Sequence, residues 1–138
     1  NNMICVEAAF HFNTRERFLR EACRVLKPGG RLVLSDVLMA RWKEKWNPLR
    51  TEKNYVKDLK EYRDVYLRAG FEDIEIVDAT HECWVQFCKH FSHFLRSKVL
   101  TKGIDRRTFN RIMGAILRTI PAMEYYVLVS ARKADLEC

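Results

Sequence analysis

About thirty residues near the start hold two short apolar runs on either side of one amphipathic segment. The first run is Met3-Ile4-Cys5-Val6, ending in Glu7-Ala8-Ala9-Phe10-His11-Phe12. Phe18, Leu19, Ala22, Val25 and Leu26 then recur at helical spacing, so one helix face is apolar. Asn13 with Glu16 three residues on reads as a capping box, and Pro28-Gly29-Gly30 stops the helix. Leu32-Val33-Leu34 is a continuous apolar run, as in parallel strands covered on both faces. The pattern is a βαβ unit, and a helical crossover of this length joins parallel strands by a right-handed path. Glu7 and His11 follow the first strand, and Asp36 follows the second. Open α/β sheets bind ligands outside the carboxyl ends of their strands, so the unit predicts a site as well as a fold.

Further along, residues 38–50 read as an irregular or short helical insertion carrying Trp42 and Trp46. A helix is predicted from about Lys53 to Ala69, stopped by Gly70, followed by a strand from Phe71 to about Asp78. Two helices come next: His81 to Val99, with Trp84, Phe87, Cys88, Phe91, Phe94 and Leu95 as its stripe, and one capped by Asp105 and closed by Pro121. The aromatic stripe is expected mainly in the core, with a lid over an apolar acceptor as the alternative. Tyr125 to Ala131 is a last apolar strand. A chain of 138 residues without repeats or an interdomain linker predicts one domain or part of one.

Charge and cysteine usage narrow the classes of partner. The net charge is +7, from 25 basic and 18 acidic residues. The basic residues are dispersed, with a denser zone over Arg41–Arg63, and no aromatic-basic repeat of a nucleic-acid module accompanies them. Nucleic acid is not expected as a partner. No apolar run of about 18 residues exists, so no membrane span, and no membrane partner, is expected. The five cysteines show no paired spacing, which fits a reduced cytoplasmic protein. Cys83, Cys88, His90 and His93 lack zinc-site spacing, so no metal is expected.

The run Glu7 to Arg15, then Arg24-Val25-Leu26-Lys27-Pro28-Gly29-Gly30, then Leu34-Ser35-Asp36, resembles class I S-adenosylmethionine-dependent methyltransferases. The look-alikes are small-molecule enzymes of the sugar O-methylating kind. The tail Tyr125 to Lys133 is similar to the family's last strand. The resemblance implies an α/β Rossmann-like methyltransferase sheet truncated at its N-terminus, of about four strands with the last antiparallel. It implies a βαβ core over 1–37, acceptor-lid insertions over 38–52 and 80–121, and a last strand over 122–133. The family's Gly-rich cofactor loop follows a strand, whereas Gly29-Gly30 follows a helix and is a turn. The chain thus resembles the C-terminal half of such an enzyme, and weak or no cofactor binding is expected of it alone.

The resemblance also implies roles. His11 stands where the family can place a general base for an acceptor hydroxyl, and His titrates near neutrality. The family often carries a second His one residue earlier, where this chain has Phe10. Asp36 stands where an Asp can orient that base or bind the acceptor. Val6, Glu7 and Ala8 lie beside the cofactor's methionyl end. The bland alternatives are a His11 packed on Phe12 or Phe18, a solvated Asp36 and a structural Glu7. The partner implied is a small-molecule acceptor. The alternative function is a non-catalytic module that completes its sheet with another chain through the exposed strand near residues 3–7.

Overall fold

The computed structural model describes residues 1–40 and 54–135. Trp42, Trp46, most of the 38–52 insertion, the start of the helix expected from Lys53, and Cys138 lie outside the described residues. Strand β1 (Asn2–Val6) runs parallel to β2 (Arg31–Met39), with Val6 opposite Ser35. The last strand, β4 (Met123–Lys133), inserts antiparallel between β2 and β3 (Phe71–Asp78). The sheet order is β1-β2-β4-β3, so the expected four-stranded mixed α/β sheet with an antiparallel last strand is what forms.

Helix α1 (Arg15–Val25) crosses between β1 and β2. Its cap is Thr14 rather than Asn13: the Thr14 hydroxyl accepts from the Arg17 amide at 3.3 Å. Glu16 does not reach back to close a box but pairs with Arg20 at 2.8 Å. The buried stripe is Leu19, Ala22, Cys23 and Leu26, whereas Val25 faces outward. Gly29 adopts φ +69, a left-handed value that glycine reaches without strain, and the turn delivers the chain into β2.

Helix α2 (Leu59–Arg68) starts later than expected because Asp58 caps it, accepting from the Glu61 amide at 2.8 Å. Its Tyr62, Val65 and Tyr66 pack with the α1 stripe onto Leu32, Leu34, Val127 and Val129 of the sheet. Alternation along the strands puts the other sheet face outward. There Ile4 and Val6 are 75% and 69% exposed, and Val33, Val77 and Leu128 are also exposed. Near-continuous apolar strands normally belong to sheets covered on both sides; here the second side is bare at Ile4, Val6, Val33, Val77 and Leu128, whereas Ser35 and Val37 of β2 are buried on it.

After β3, a wide helical turn (Thr80–Val85) leads into α3 (Gln86–Leu100), which forms a hairpin with α4 (Arg106–Thr119). Asp105 caps α4 as expected, accepting from the Thr108 amide at 2.6 Å. The expectation that the aromatic stripe is core does not hold. Trp84, Phe87, Phe91 and Phe94 stack in a ladder with ring spacings of 6.0, 5.4 and 6.2 Å. Phe87 and Phe94 remain half exposed, and only Cys88 and Leu95 of α3 are buried. Helix α4 buries no residue. Cys5, Cys83 and Cys88 are free. Among the described residues no helix is long and apolar enough to cross a membrane.

Candidate active site at the tips of the parallel strands

Because β1 and β2 are parallel and in register, Glu7 and Asp36 reach the same end of the sheet. The Glu7 amide extends the ladder by donating to the Ser35 carbonyl and hydroxyl oxygens, both at 3.1 Å. Glu7 then takes φ 48, a left-handed value that is uncommon for a residue with a Cβ and that turns the chain off the strand. Its carboxylate accepts a 2.6 Å hydrogen bond from the Tyr126 hydroxyl of β4. Burial, then this bond, pushes the Tyr126 phenol upward. Glu7 is therefore anchored, yet it stays exposed and keeps acceptor capacity.

Ala9 to His11 form one tight turn beyond Ala8. His11 projects into solvent, its ring tilted against Phe10 with centroids 4.1 Å apart. Phe12, not His11, packs on Phe18, the two rings stacking at 4.6 Å.

Asp36 behaves differently from the expectation that it ends its strand. Strand β2 continues to Met39 because β4 pairs with it that far. Asp36 is consequently a mid-strand residue on the covered face, fully buried. Its Oδ2 accepts from Arg15 Nε at 2.6 Å and from the Tyr62 hydroxyl at 2.9 Å, and its Oδ1 accepts from the Val37 amide at 2.8 Å. Tyr62 in turn bonds Tyr66 hydroxyl to hydroxyl at 2.9 Å. Burial raises both phenols well above their usual range. No hydrogen bond joins Asp36 to His11 among the described residues, so the two predicted catalytic groups share an end of the sheet without touching.

What links them is a set of residues that the sequence did not single out. Arg15, buried at the first turn of α1, also donates to the carbonyls of Val37 at 2.8 Å and Asn54. The buried Asn54 side chain accepts from the Arg15 amide and donates to the Phe12 carbonyl, both at 2.7 Å. Buried charges need partners and hydrogen bonds to be tolerated, and each group here has them. The loop from Glu7 to Thr14 is therefore tied at one end to β2 and β4, and at the other through Asn54 and Arg15 to Asp36. Local sequence carries one faint signal of this: an Arg at a helix start beside an Asp in a strand of otherwise apolar residues.

The residues at these tips could hold a cationic ligand such as S-adenosylmethionine. Glu7 offers a carboxylate suited to an ammonium or sulfonium, and Val6 offers exposed apolar surface beside it. Among the described residues no group of three or more His, Cys, Asp or Glu is placed to hold a metal ion.

Comparison with known proteins bears on the fold. Residues 2–34, the βαβ unit up to mid-β2, match the family model described as a methyltransferase domain. Erythromycin 3''-O-methyltransferase of Saccharopolyspora erythraea is 24% identical over 158 residues, covering 93% of this chain and 48% of that protein. The chain thus spans about half the length of this curated relative. A Galdieria sulphuraria protein assigned as a sarcosine dimethylglycine methyltransferase superposes with a TM-score of 0.75 at 14% identity, over 97% of this chain and 53% of that one. Phosphoethanolamine N-methyltransferase 2 of Haemonchus contortus, solved with S-adenosyl-L-methionine, gives 0.73 at 14% identity, over 96% and 33%. At such identities the structures speak for the fold alone. Together the matched βαβ segment and the distant curated relative make this chain similar to S-adenosylmethionine-dependent methyltransferases, on a methyltransferase fold.

Proposed function

We propose that this chain forms the C-terminal part of an enzyme that methylates a hydroxyl of a small molecule. The observation that carries the reading is the exposed His11 imidazole, held on a loop braced at both ends, at the same sheet end as Glu7. The curated relative, an O-methyltransferase by name, supports a hydroxyl acceptor. When bound, S-adenosylmethionine supplies an electrophilic methyl group on a sulfonium. His11 takes the acceptor proton at its free ring nitrogen as the oxygen becomes nucleophilic. Glu7 and the backbone of Val6 and Ala8 orient the methionyl end, so that proximity supplies much of the rate. Asp36 is a positioning residue in this proposal, acting through Arg15 and Asn54 on the His11 loop. The α3–α4 hairpin contributes to the cover of the acceptor.

The test is methyl transfer to hydroxyl- and amine-bearing acceptors by the full-length protein, with and without His11→Gln. Loss of a base costs about 10²–10⁴-fold in rate. We expect that loss in kcat with the KM for cofactor unchanged; a variant within threefold of the parent rejects His11 as the base. By calorimetry, the 138-residue chain alone is expected to show weak or no cofactor binding, and micromolar affinity would contradict that.

One observation favours a second reading. Ile4 and Val6 lie bare on a strand with a hydrogen-bonded neighbour on one side only, among the described residues. Such an edge suits pairing with another chain in a non-catalytic module. Sedimentation separates the readings: a dimer abolished by Val6→Lys supports the module.

A further inference from the structure

The charge of this chain is not spread evenly over the fold. Between Gln86 and Thr119 there are eight Lys and Arg residues and one acidic residue, Asp105, a surplus equal to the net charge of the whole chain, +7. Asp105 is occupied in capping α4. None of the eight cations forms a salt bridge among the described residues, whereas Arg15, Arg20, Arg24, Arg68 and Arg132 elsewhere all do.

The same hairpin exposes apolar side chains. Leu100, at the end of α3, is 84% exposed, and Leu117 of α4 is 61% exposed. Between the helices lies a groove of about 390 Å³. Val99, Leu100 and Phe109 form its apolar lining, and Arg96 and Arg106 flank it. Helix α4 separates its surfaces: Arg107, Arg111 and Arg118 share one side, while Phe109, Ile112, Met113 and Ile116 share another. An amphipathic helix pair with unpaired cations beside exposed apolar residues has the composition of an element that lies in a lipid interface.

We propose that the α3–α4 hairpin docks on an anionic lipid surface. Leu100 and the groove take up acyl-chain or glycerol contacts, and Arg96 and Arg106 hold the headgroup phosphate. Charge selects this occupant over the others. A second copy would set one surplus of cations against another. A nucleic acid would satisfy the cations but leave Leu100 and Leu117 with nothing to bury against. An anionic bilayer satisfies both at once, because its surface potential attracts the cations and its acyl boundary accepts the leucines. The sequence expectation of no membrane partner rested on the absence of a spanning run, and a surface-docked hairpin needs none. The proposal does not rest on the methyl-transfer reading, although both involve this hairpin.

The test is co-sedimentation of the 138-residue chain with vesicles of phosphatidylcholine alone or with about 30% phosphatidylserine. We expect at least roughly tenfold more binding to the anionic vesicles, lost as salt rises from about 0.15 M to about 0.5 M. Arg96→Gln with Arg106→Gln should weaken that binding about tenfold, and Leu100→Ser should weaken it further. Arg20→Gln with Arg24→Gln, on α1, should leave it unchanged, with circular dichroism confirming that every variant is folded. Equal binding to both vesicles, binding indifferent to salt, or equal loss in the α1 variant overturns the proposal. So does displacement of the vesicles by an equimolar duplex RNA, or self-association that consumes the hairpin.

Discussion

Replacing Arg15 by Met isolates the buried network that holds the strand tips. The Arg15 and Asp36 side chains are 5% and 0% exposed, and the guanidinium also serves the carbonyls of Val37 and Asn54. Methionine keeps most of the volume and removes the charge, leaving the Asp36 carboxylate with Tyr62 and the Val37 amide as its donors among the described residues. Breaking a buried pair by removing one partner costs roughly 3–5 kcal/mol. Domains of this size have stabilities of about 5–15 kcal/mol, so the loss is a large fraction. With a urea slope of about 2 kcal/mol per molar, the midpoint should fall by roughly 2 M. Arg15→Met combined with Asp36→Leu removes both charges, and the pair is expected to cost at least about 2 kcal/mol less than the sum of the singles. Urea unfolding followed by circular dichroism reads all three. A single-variant loss below about 1 kcal/mol, or strict additivity, would refute the claim that this pair is a mutually dependent strut. Asp36→Asn separates strut from direct contact: as a positioning residue it lowers kcat while the KM for cofactor stays unchanged.

Two further outcomes follow from the same core and from the turn before β2. Burial raises the Tyr62 and Tyr66 phenols, so the folded state holds protons that the unfolded chain releases above about pH 10. Their contribution is complete below that pH and falls by about 1.4 kcal/mol per pH unit for each tyrosine above it; urea midpoints at pH 9 and pH 11 should drop steeply, and a Tyr62→Phe/Tyr66→Phe variant should show a flatter profile. At the turn, a Cβ on Gly30 would lie 2.8 Å from the carbonyl oxygens of Asn1 and Lys27, while among the described residues one on Gly29 meets Asp135 at 3.8 Å. Gly30→Ala should therefore cost about 1–3 kcal/mol by overpacking, and Gly29→Ala about 1–2 kcal/mol through its left-handed φ; thermal melts that rank Gly29→Ala as the worse would contradict the steric reading.

Local pattern carried the backbone architecture of this protein. The apolar runs, the helix between them, the Pro28-Gly29-Gly30 stop and the Asp105 cap were legible because each depends on residues within a few positions of one another, and the parallel pairing of the first two strands followed from the helical crossover between them. The α1 cap slipped by one residue, since Asn13 and Thr14 are both competent and only the path of the loop from Glu7 chose between them. Side-chain fate was another matter. Asp36 reads as a strand-end carboxylate until β4, about ninety residues later, pairs along β2 to Met39 and encloses it. Arg15 reads as an exposed helix charge until Asn54 and Asp36 arrive from distant segments. Glu7 meets Tyr126 across 119 residues. Nor could the aromatic stripe of α3 announce that half of it faces solvent, because periodicity identifies an apolar face without saying what covers it. Sequence alone determined which segments are strands and helices and which strand ends face one another, since hydrogen bonding and apolar periodicity are short-range. Which charges are buried, and which apolar faces stay bare, was decided by tertiary structure, because burial is a property of neighbours that only the folded chain supplies.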